Sequence, residues 1–274
     1  MTPDPDVSAA FSFSVQVYGL YDQLMRAAGE AGQDDLNHEP RLGGNLLYAG
    51  ELDEQGRALV VAGNVAGCAS LAATADPATQ KQAIRDGVVD FLVTTLDEAL
   101  RILKNEIRKG ETVAVCVGAA AEAVKREMQE RGVLADLQRP REVSFANSSG
   151  SQTEMSLDSV AEDPMRIPAL VRWSVATAPG LWLPKLDAIA LDCLEPGAWP
   201  ARRWLRLAPR YLGRLAQGVR LLRADRKFGA KFVEQVREKT ERGEIRVPVE
   251  IQSSYRGASE EHHFSPPGYA KSAR

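Results

Sequence analysis

Residues 43–137 contain the clearest pattern in this chain of 274 residues, and they read GGNLLYAGELDEQGRALVVAGNVAGCASLAATADPATQKQAIRDGVVDFLVTTLDEALRILKNEIRKGETVAVCVGAAAEAVKREMQERGVLADL. Four short apolar runs alternate here with longer segments whose apolar residues recur at helical spacing. The runs are residues 46–49, 68–73, 88–93 and 113–117. Strands and helices that alternate in this way build a mostly parallel sheet with helices on its faces. The sequence therefore predicts a doubly wound α/β domain.

Capping residues mark the ends of the predicted helices. Asp76 precedes Pro77, and Thr95 stands three residues before Glu98, so Asp76 and Thr95 have the positions of helix N-caps. Glycine adopts the left-handed conformation at a helix end without steric cost. The glycines that follow the predicted helices are Gly87, Gly110 and Gly132. These caps divide the region into successive βα units.

A turn of small residues follows the fourth apolar run. Gly118, Ala119 and Ala120 lead into a predicted helix whose first turn carries Glu122. Free backbone N–H groups at such a helix start can approach a phosphate. Small residues also permit close packing of a helix on a sheet, and the sequence leaves both interpretations open.

These segments resemble the central NAD-binding, Rossmann-like domain of urocanase (urocanate hydratase). The matching residues are 43–46 with 49–50, 66–68 with 72–77, 95–99, and 118–122 in place of the family's GNAAE. Residues 242–251, RGEIRVPVEI, are similar to the family's C-terminal segment of the form SGELKAPIVI. The resemblance implies a Rossmann-like sheet. The residue pattern after it predicts a smaller and mainly helical C-terminal region.

The resemblance also implies an activity and a cofactor. Urocanases are cytoplasmic lyases of histidine degradation that use tightly held NAD as an electrophile, and water adds to urocanate to give imidazolonepropionate. By the resemblance, the residues that contact NAD are Gly50, Gly56, Gly118, Ala119, Ala120, Glu122, Gln152 and Thr153. We expect a homo-oligomer that binds NAD or another small anionic molecule.

Several positions depart from the family pattern. The glycine-rich turn after the first strand is replaced by residues 51–59, ELDEQGRAL, which retain Gly56 and place three carboxylates where a pyrophosphate needs positive potential. Thr74 stands where an acid would hold a ribose hydroxyl, and Ala119 replaces the asparagine of GNAAE. Residues 200–204, PARRW, lack the cysteine of the family's PARICW. We therefore expect a diverged member that has lost catalytic and cofactor positions, and we assign no catalytic residue.

Bulk composition is that of a folded protein with a sizeable core. The net charge is −3 and 44% of the residues are hydrophobic, with no apolar run of membrane-spanning length and no signal-peptide pattern at the start. We expect a cytoplasmic protein. The three cysteines are widely separated, so we predict buried, reduced thiols rather than a disulfide or zinc framework.

The chain divides into four predicted parts. They are an N-terminal arm and helix (1–42), the Rossmann-like domain (43–138), a linker and Pro/Trp-rich region (139–198), and a basic helical region with one strand and a flexible tail (199–274). The tail contains Glu260, Glu261, His262 and His263, which could hold a metal only if the tail folded back. We expect no metal site there.

Residues 199–231 are strongly basic, with ten Arg and Lys residues against Asp225 alone. Trp204, Leu207 and Tyr211 supply an apolar side to the same segment. One interpretation is a surface for anionic lipid, nucleic acid or a second subunit, used by a non-catalytic scaffold protein. The other is a face that is salt-bridged to the acidic remainder of the chain.

Overall fold

The two halves of the chain form two different sheets. The computed structural model describes residues 5–31, 42–138, 168–213, 218–255 and 258–267. The first half contains α1 (Pro5–Ala31), β1 (Leu46–Glu51), α2 (Glu54–Ala66), β2 (Ala69–Ala73), α3 (Pro77–Arg85), β3 (Phe91–Val93), α4 (Leu96–Lys109), β4 (Val113–Val117), α5 (Ala121–Glu130) and β5 (Leu137–Gln138). The second half contains β6 (Pro168–Val175), α6 (Pro179–Cys193), α7 (Trp199–Leu212), β7 (Val219–Asp225), α8 (Arg226–Glu241), β8 (Val249–Tyr255) and β9 (Ala258–Phe264).

The first sheet confirms the predicted doubly wound α/β fold. Its five strands run in the order β3-β4-β2-β1-β5, and every adjacent pair is parallel. Helix α2 packs on one face of this sheet, and α4 and α5 pack on the other. The predicted caps are also confirmed: Asp76 accepts hydrogen bonds from the N–H groups of Ala78 and Thr79, and Thr95 forms a capping box with Glu98.

The second sheet corrects the expectation of a single strand in the C-terminal region. Four antiparallel strands form it in the order β7-β6-β8-β9. The basic segment 199–231 is helical at residues 199–212 and again from Arg226, whereas residues 219–225 form a strand that pairs with β6 over its whole length. Part of the predicted flexible tail is also strand, since residues 258–264 pair with β8. In both cases a distant partner strand supplies backbone hydrogen bonds that local sequence does not reveal.

Aromatic side chains of α1 and α7 join the two halves. The ring of Trp204 lies 4.7 Å from that of Tyr18 and 5.2 Å from that of Tyr21, measured between centroids. The indole N–H of Trp204 donates to the main-chain oxygen of Leu221 in β7 at 2.8 Å. A single hydrophobic core therefore extends from α2 of the first half to β7 of the second.

Arginines of the basic segment make internal contacts. Arg202 donates to the main-chain oxygens of Leu191 and Leu194 at the end of α6. Arg220 donates to the carboxylate of Asp187 at 3.0 Å, and the same carboxylate accepts from the indole N–H of Trp173. Burial raises the pKa of Asp187, and Arg220 and Trp173 oppose that effect. Arg220 thus matches the salt-bridged interpretation, whereas Arg202 donates to main-chain oxygens. Within the described residues, no helix is both long and apolar enough to cross a membrane.

Candidate functional site

The candidate site lies at the carboxyl ends of β1, β2 and β4, which are neighbours in the parallel sheet. In open α/β sheets this edge forms the crevice where ligands bind. The structure brings to it Gly50 near the end of β1, Gly56 in the first turn of α2, and the turn that begins at Gly118. Of the other predicted cofactor residues, Gln152 and Thr153 lie outside the described residues.

The turn after β1 is closed by a carboxylate of the chain itself. Asp53 is the N-cap of α2, and its Oδ1 accepts the N–H of Gly56 at 2.7 Å. An N–H at a helix start is the kind of donor that a bound phosphate uses. Here that donor is occupied by Asp53, and the flanking charges of Glu51 and Glu54 are also negative. The next cation in α2, Arg57, is paired with Asp86.

Packing explains why residue 56 is a glycine. A Cβ at this position would lie 1.9 Å from the main-chain oxygen of Glu51, well inside the contact distance. The end of β1 therefore lies in direct contact with the start of α2. Gly50 lies just before, with a φ of 74° at a register shift between β1 and β2. Both glycines are accounted for by backbone geometry without a ligand.

The end of β2 carries no acid that faces the crevice in the manner of a ribose-binding residue. Thr74 is buried, and its hydroxyl accepts the N–H of Asp76 at 3.4 Å. The main-chain oxygen of Thr74 accepts from the side-chain amide of Gln80 at 2.8 Å. The same amide nitrogen would lie 3.3 Å from a Cβ at Gly118. Gln80 therefore binds the end of β2 and lies beside Gly118 at the end of β4.

The turn after β4 is more open than the turn after β1. Among the described residues, no side chain caps the start of α5, where Ala120 is the N-cap. The N–H groups of Gly118 and Ala119 donate to the main-chain oxygens of Val93 and Val117, respectively. The hydroxyl of Tyr48 donates to the main-chain oxygen of Ala121 at 2.7 Å, and burial raises the pKa of Tyr48 to about 12. Glu122 places a negative charge in the first turn of α5.

The cysteines and the described histidines do not supply a reactive group at this edge. Cys68, Cys116 and Cys193 are free and buried, as predicted, and burial raises the pKa of Cys68 to about 12 and that of Cys116 to about 11. His262 and His263 lie on β9 in the other sheet, opposite Ile251 and Glu250. Consecutive strand residues point to opposite faces, so these two imidazoles cannot share a metal ion. The described residues contain no cluster suited to a metal.

Comparison with known families agrees with this architecture. The model of the urocanase Rossmann-like domain matches residues 17–155, which is half of the chain. The chain belongs to the urocanase family. The urocanase match begins inside α1 and extends past β5, so it includes the whole parallel sheet. The similarity of residues 242–251 to the urocanase C-terminal segment lies outside the matched range and stays an interpretation.

Urocanase Rossmann-like domains are associated with NAD in general, so the fit of that cofactor can be tested against the residues present. The first turn does not fit a pyrophosphate, because the Asp53 carboxylate holds the Gly56 N–H and two further acids flank it. A phosphate there would meet like charge and would have to displace a charge-assisted hydrogen bond. At the turn after β4 the N–H groups of Gly118 and Ala119 are bonded within the chain, and Glu122 adds a negative charge in the first turn of α5.

The sequence interpretation missed the role of Asp53. The three carboxylates of residues 51–54 were recognised as unfavourable for a phosphate, but the bond from the Gly56 N–H to Asp53 was not foreseen. The signal was present, because an aspartate three residues before a glycine at the start of an apolar helical pattern is a standard N-cap position. The role of Tyr48 was also missed, because no pattern in the sequence indicates its hydrogen bond to the main-chain oxygen of Ala121.

Proposed function

We propose that this chain is a diverged urocanase-family protein that keeps the Rossmann-like domain as a scaffold and no longer carries out NAD-dependent hydration of urocanate. The observation that carries the proposal is the Asp53 carboxylate on the N–H of Gly56. It places negative charge of the protein where the family fold receives the pyrophosphate.

Two further observations support the loss of catalysis. General acid–base catalysis needs titratable groups within hydrogen-bond reach of the reacting atoms. The thiol of Cys116, which lies near the carboxyl edge, has a pKa raised by burial and makes its contact with the main-chain oxygen of Val117. His262 and His263 lie in the other sheet.

The scaffold role is supported by the way the two halves are joined. Trp204 connects α1 to β7, and Arg203 connects α7 to the end of α2. The parallel sheet thereby becomes a rigid base on which the antiparallel sheet is held. We infer that the Rossmann-like domain positions the second sheet.

The test uses the purified full-length chain. Denaturing release followed by mass spectrometry measures bound dinucleotide, and the loss of the urocanate absorption band measures turnover. We expect no stoichiometric dinucleotide and no change of absorption. Stoichiometric NAD together with urocanate turnover would show that the hydratase activity is retained and would refute the proposal.

The start of α5 favours a second candidate, an enzyme or binding protein for a small anion at the turn after β4. The open N-cap at Ala120 is the observation in its favour. Substitution of Ala120 by aspartate would supply a capping carboxylate and fill the anion position. A small anion such as inorganic phosphate should then bind the wild type and not Ala120→Asp. Equal or absent binding in the two proteins would exclude this candidate.

A further inference from the structure

A cavity lies in the antiparallel half of the molecule, between α8 and the β8–β9 hairpin. Its volume is about 440 Å³, which is within the range of small-molecule sites. Ala169, Ala230 and Val233 give it an apolar wall. Its polar lining is Arg226, Ser253, Tyr255, Glu260 and His262. This combination of an apolar wall and a few grouped polar side chains is typical of ligand sites.

Gly229 keeps the floor of the cavity open. Glycine inside a helix is less favourable than alanine, so its presence in α8 calls for a reason. A Cβ at residue 229 would meet the hydroxyl of Ser253 at 3.5 Å and a methyl group of Val171 at 3.7 Å, both ordinary contacts. Packing therefore does not require glycine at this position. An added methyl group would instead occupy space next to Ser253.

Ser253 presents a hydroxyl to the cavity. The residue is only 7% exposed, and a Cβ added at Gly229 would lie 3.5 Å from its hydroxyl. Buried hydroxyls are normally hydrogen-bonded, because burial without a partner is unfavourable. A polar group of a ligand in the cavity can bond to this hydroxyl.

Arg226 and Glu260 present opposite charges side by side at the same cavity. Nη2 of Arg226 donates to Oε1 of Glu260 at 2.8 Å and to the hydroxyl of Tyr255 at 3.0 Å, and that hydroxyl donates to Oε1. The guanidinium lies 4.5 Å from the centroid of the Tyr255 ring. Of the two charged groups, these contacts involve only Nη2 of Arg226 and Oε1 of Glu260. Nε and Nη1 of Arg226 and Oε2 of Glu260 have no partner among the described residues.

The paired charges select the class of ligand. A simple anion would be attracted by Arg226 and repelled by Glu260, and a simple cation would experience the reverse. A zwitterion satisfies both groups at once. We propose that this cavity binds an α-amino acid with an apolar side chain, with its carboxylate on Arg226, its ammonium group on Glu260 and its side chain on Ala230 and Val233. This inference concerns the second sheet and does not depend on the fate of the dinucleotide site.

Calorimetric titration of the full-length chain tests the proposal with L-leucine as the probe. Isocaproate lacks only the ammonium group of leucine, and isoamylamine lacks only its carboxylate. We expect leucine to bind and each analogue to bind at least about tenfold more weakly, since each loses one charge-assisted hydrogen bond. Isocaproate that bound as tightly as leucine would assign the cavity to carboxylates and contradict the proposal.

The variant Gly229→Ala distinguishes a loss of leucine binding from a loss of folding. The substitution should raise the melting temperature by about 2 °C, because it removes the unfavourable helix glycine without a clash, and it should weaken leucine binding at least about tenfold.

Arg226→Gln and Glu260→Gln should weaken leucine binding as well. Lys227→Gln is the matched control, because Lys227 is adjacent in α8 but pairs with Glu195 outside the cavity. The proposal is wrong if folded wild-type protein binds no leucine at about 10 mM, well above the Kd of even a weak ligand, or if Gly229→Ala leaves the affinity unchanged.

Discussion

The guanidinium of Arg203 donates a 2.7 Å hydrogen bond from Nε to the main-chain oxygen of Val65, in the last turn of α2. A helix C-terminus has unpaired carbonyl groups and a partial negative charge, so a buried cation is well placed there. The arginine comes from the segment that is most basic in the sequence, yet it is buried and lies against the Rossmann-like domain. This contact is one of those that hold the two halves together.

Substitution Arg203→Met should destabilise the fold without changing its architecture. The variant leaves the main-chain oxygen of Val65 buried without its charged donor, so we expect a loss of about 2–3 kcal/mol in the free energy of unfolding. Urea denaturation followed by circular dichroism measures it. Arg210→Gln is the control, since Arg210 is exposed and lies over the ring of Tyr211. Equal stability of Arg203→Met and wild type would contradict the role given to Arg203.

Gly56→Ala and Gly118→Ala should have different effects, although both residues were predicted to contact NAD. The Cβ at residue 56 would clash with the rigid main-chain oxygen of Glu51, so we expect a loss of about 3 kcal/mol or more. The Cβ at residue 118 would meet the side chain of Gln80, which can move, and we expect a change within about 1 kcal/mol. Thermal and urea unfolding measure both. A harmless Gly56→Ala would mean that the glycine is not required by packing.

Asp76→Asn should reduce the loss of stability in acid. Hydrogen bonds from the hydroxyl and N–H of Thr79 and from the N–H of Ala78 hold the pKa of Asp76 below its usual value. A carboxyl with a lowered folded-state pKa stabilises the fold fully above its unfolded pKa, and this contribution is lost as the pH falls through the folded-state pKa.

Asparagine keeps an acceptor oxygen for the cap but does not titrate. The stability difference between wild type and Asp76→Asn should therefore be larger at about pH 6 than at about pH 3, on either side of the usual aspartate pKa. Urea unfolding at both pH values measures it. A difference that stayed constant with pH would contradict the assignment of a lowered pKa to Asp76.

The sequence predicted the parallel sheet well because its signals are local. Apolar runs, the caps at Asp76 and Thr95 and the glycine after each helix all lie within a few residues of the element that they define. The antiparallel sheet was missed for the opposite reason. Residues 219–225 carry two arginines three residues apart, a spacing that also suits a helix, and the strand forms because β6 lies beside it.

The position of the candidate glycines was predicted from the sequence, whereas their contact with NAD stays a prediction. Gly50, Gly56 and Gly118 do lie at the carboxyl edge of the sheet. A glycine in such a turn can serve a ligand or the backbone, and the sequence does not distinguish the two. The 1.9 Å between an added Cβ at residue 56 and the oxygen of Glu51, and the bond from the Gly56 N–H to Asp53, give Gly56 a backbone role that depends on the geometry of the turn.

Titration of NAD into the full-length chain tests the central claim most directly, namely that Asp53 occupies the anion position of the family fold. Calorimetry on the wild type and on Asp53→Ser, which keeps a capping oxygen without the charge, gives the comparison. We predict no binding of NAD to the wild type at about 1 mM, equivalent to less than about 4 kcal/mol of binding free energy. Submicromolar NAD binding by the wild type, unchanged in Asp53→Ser, would contradict the account.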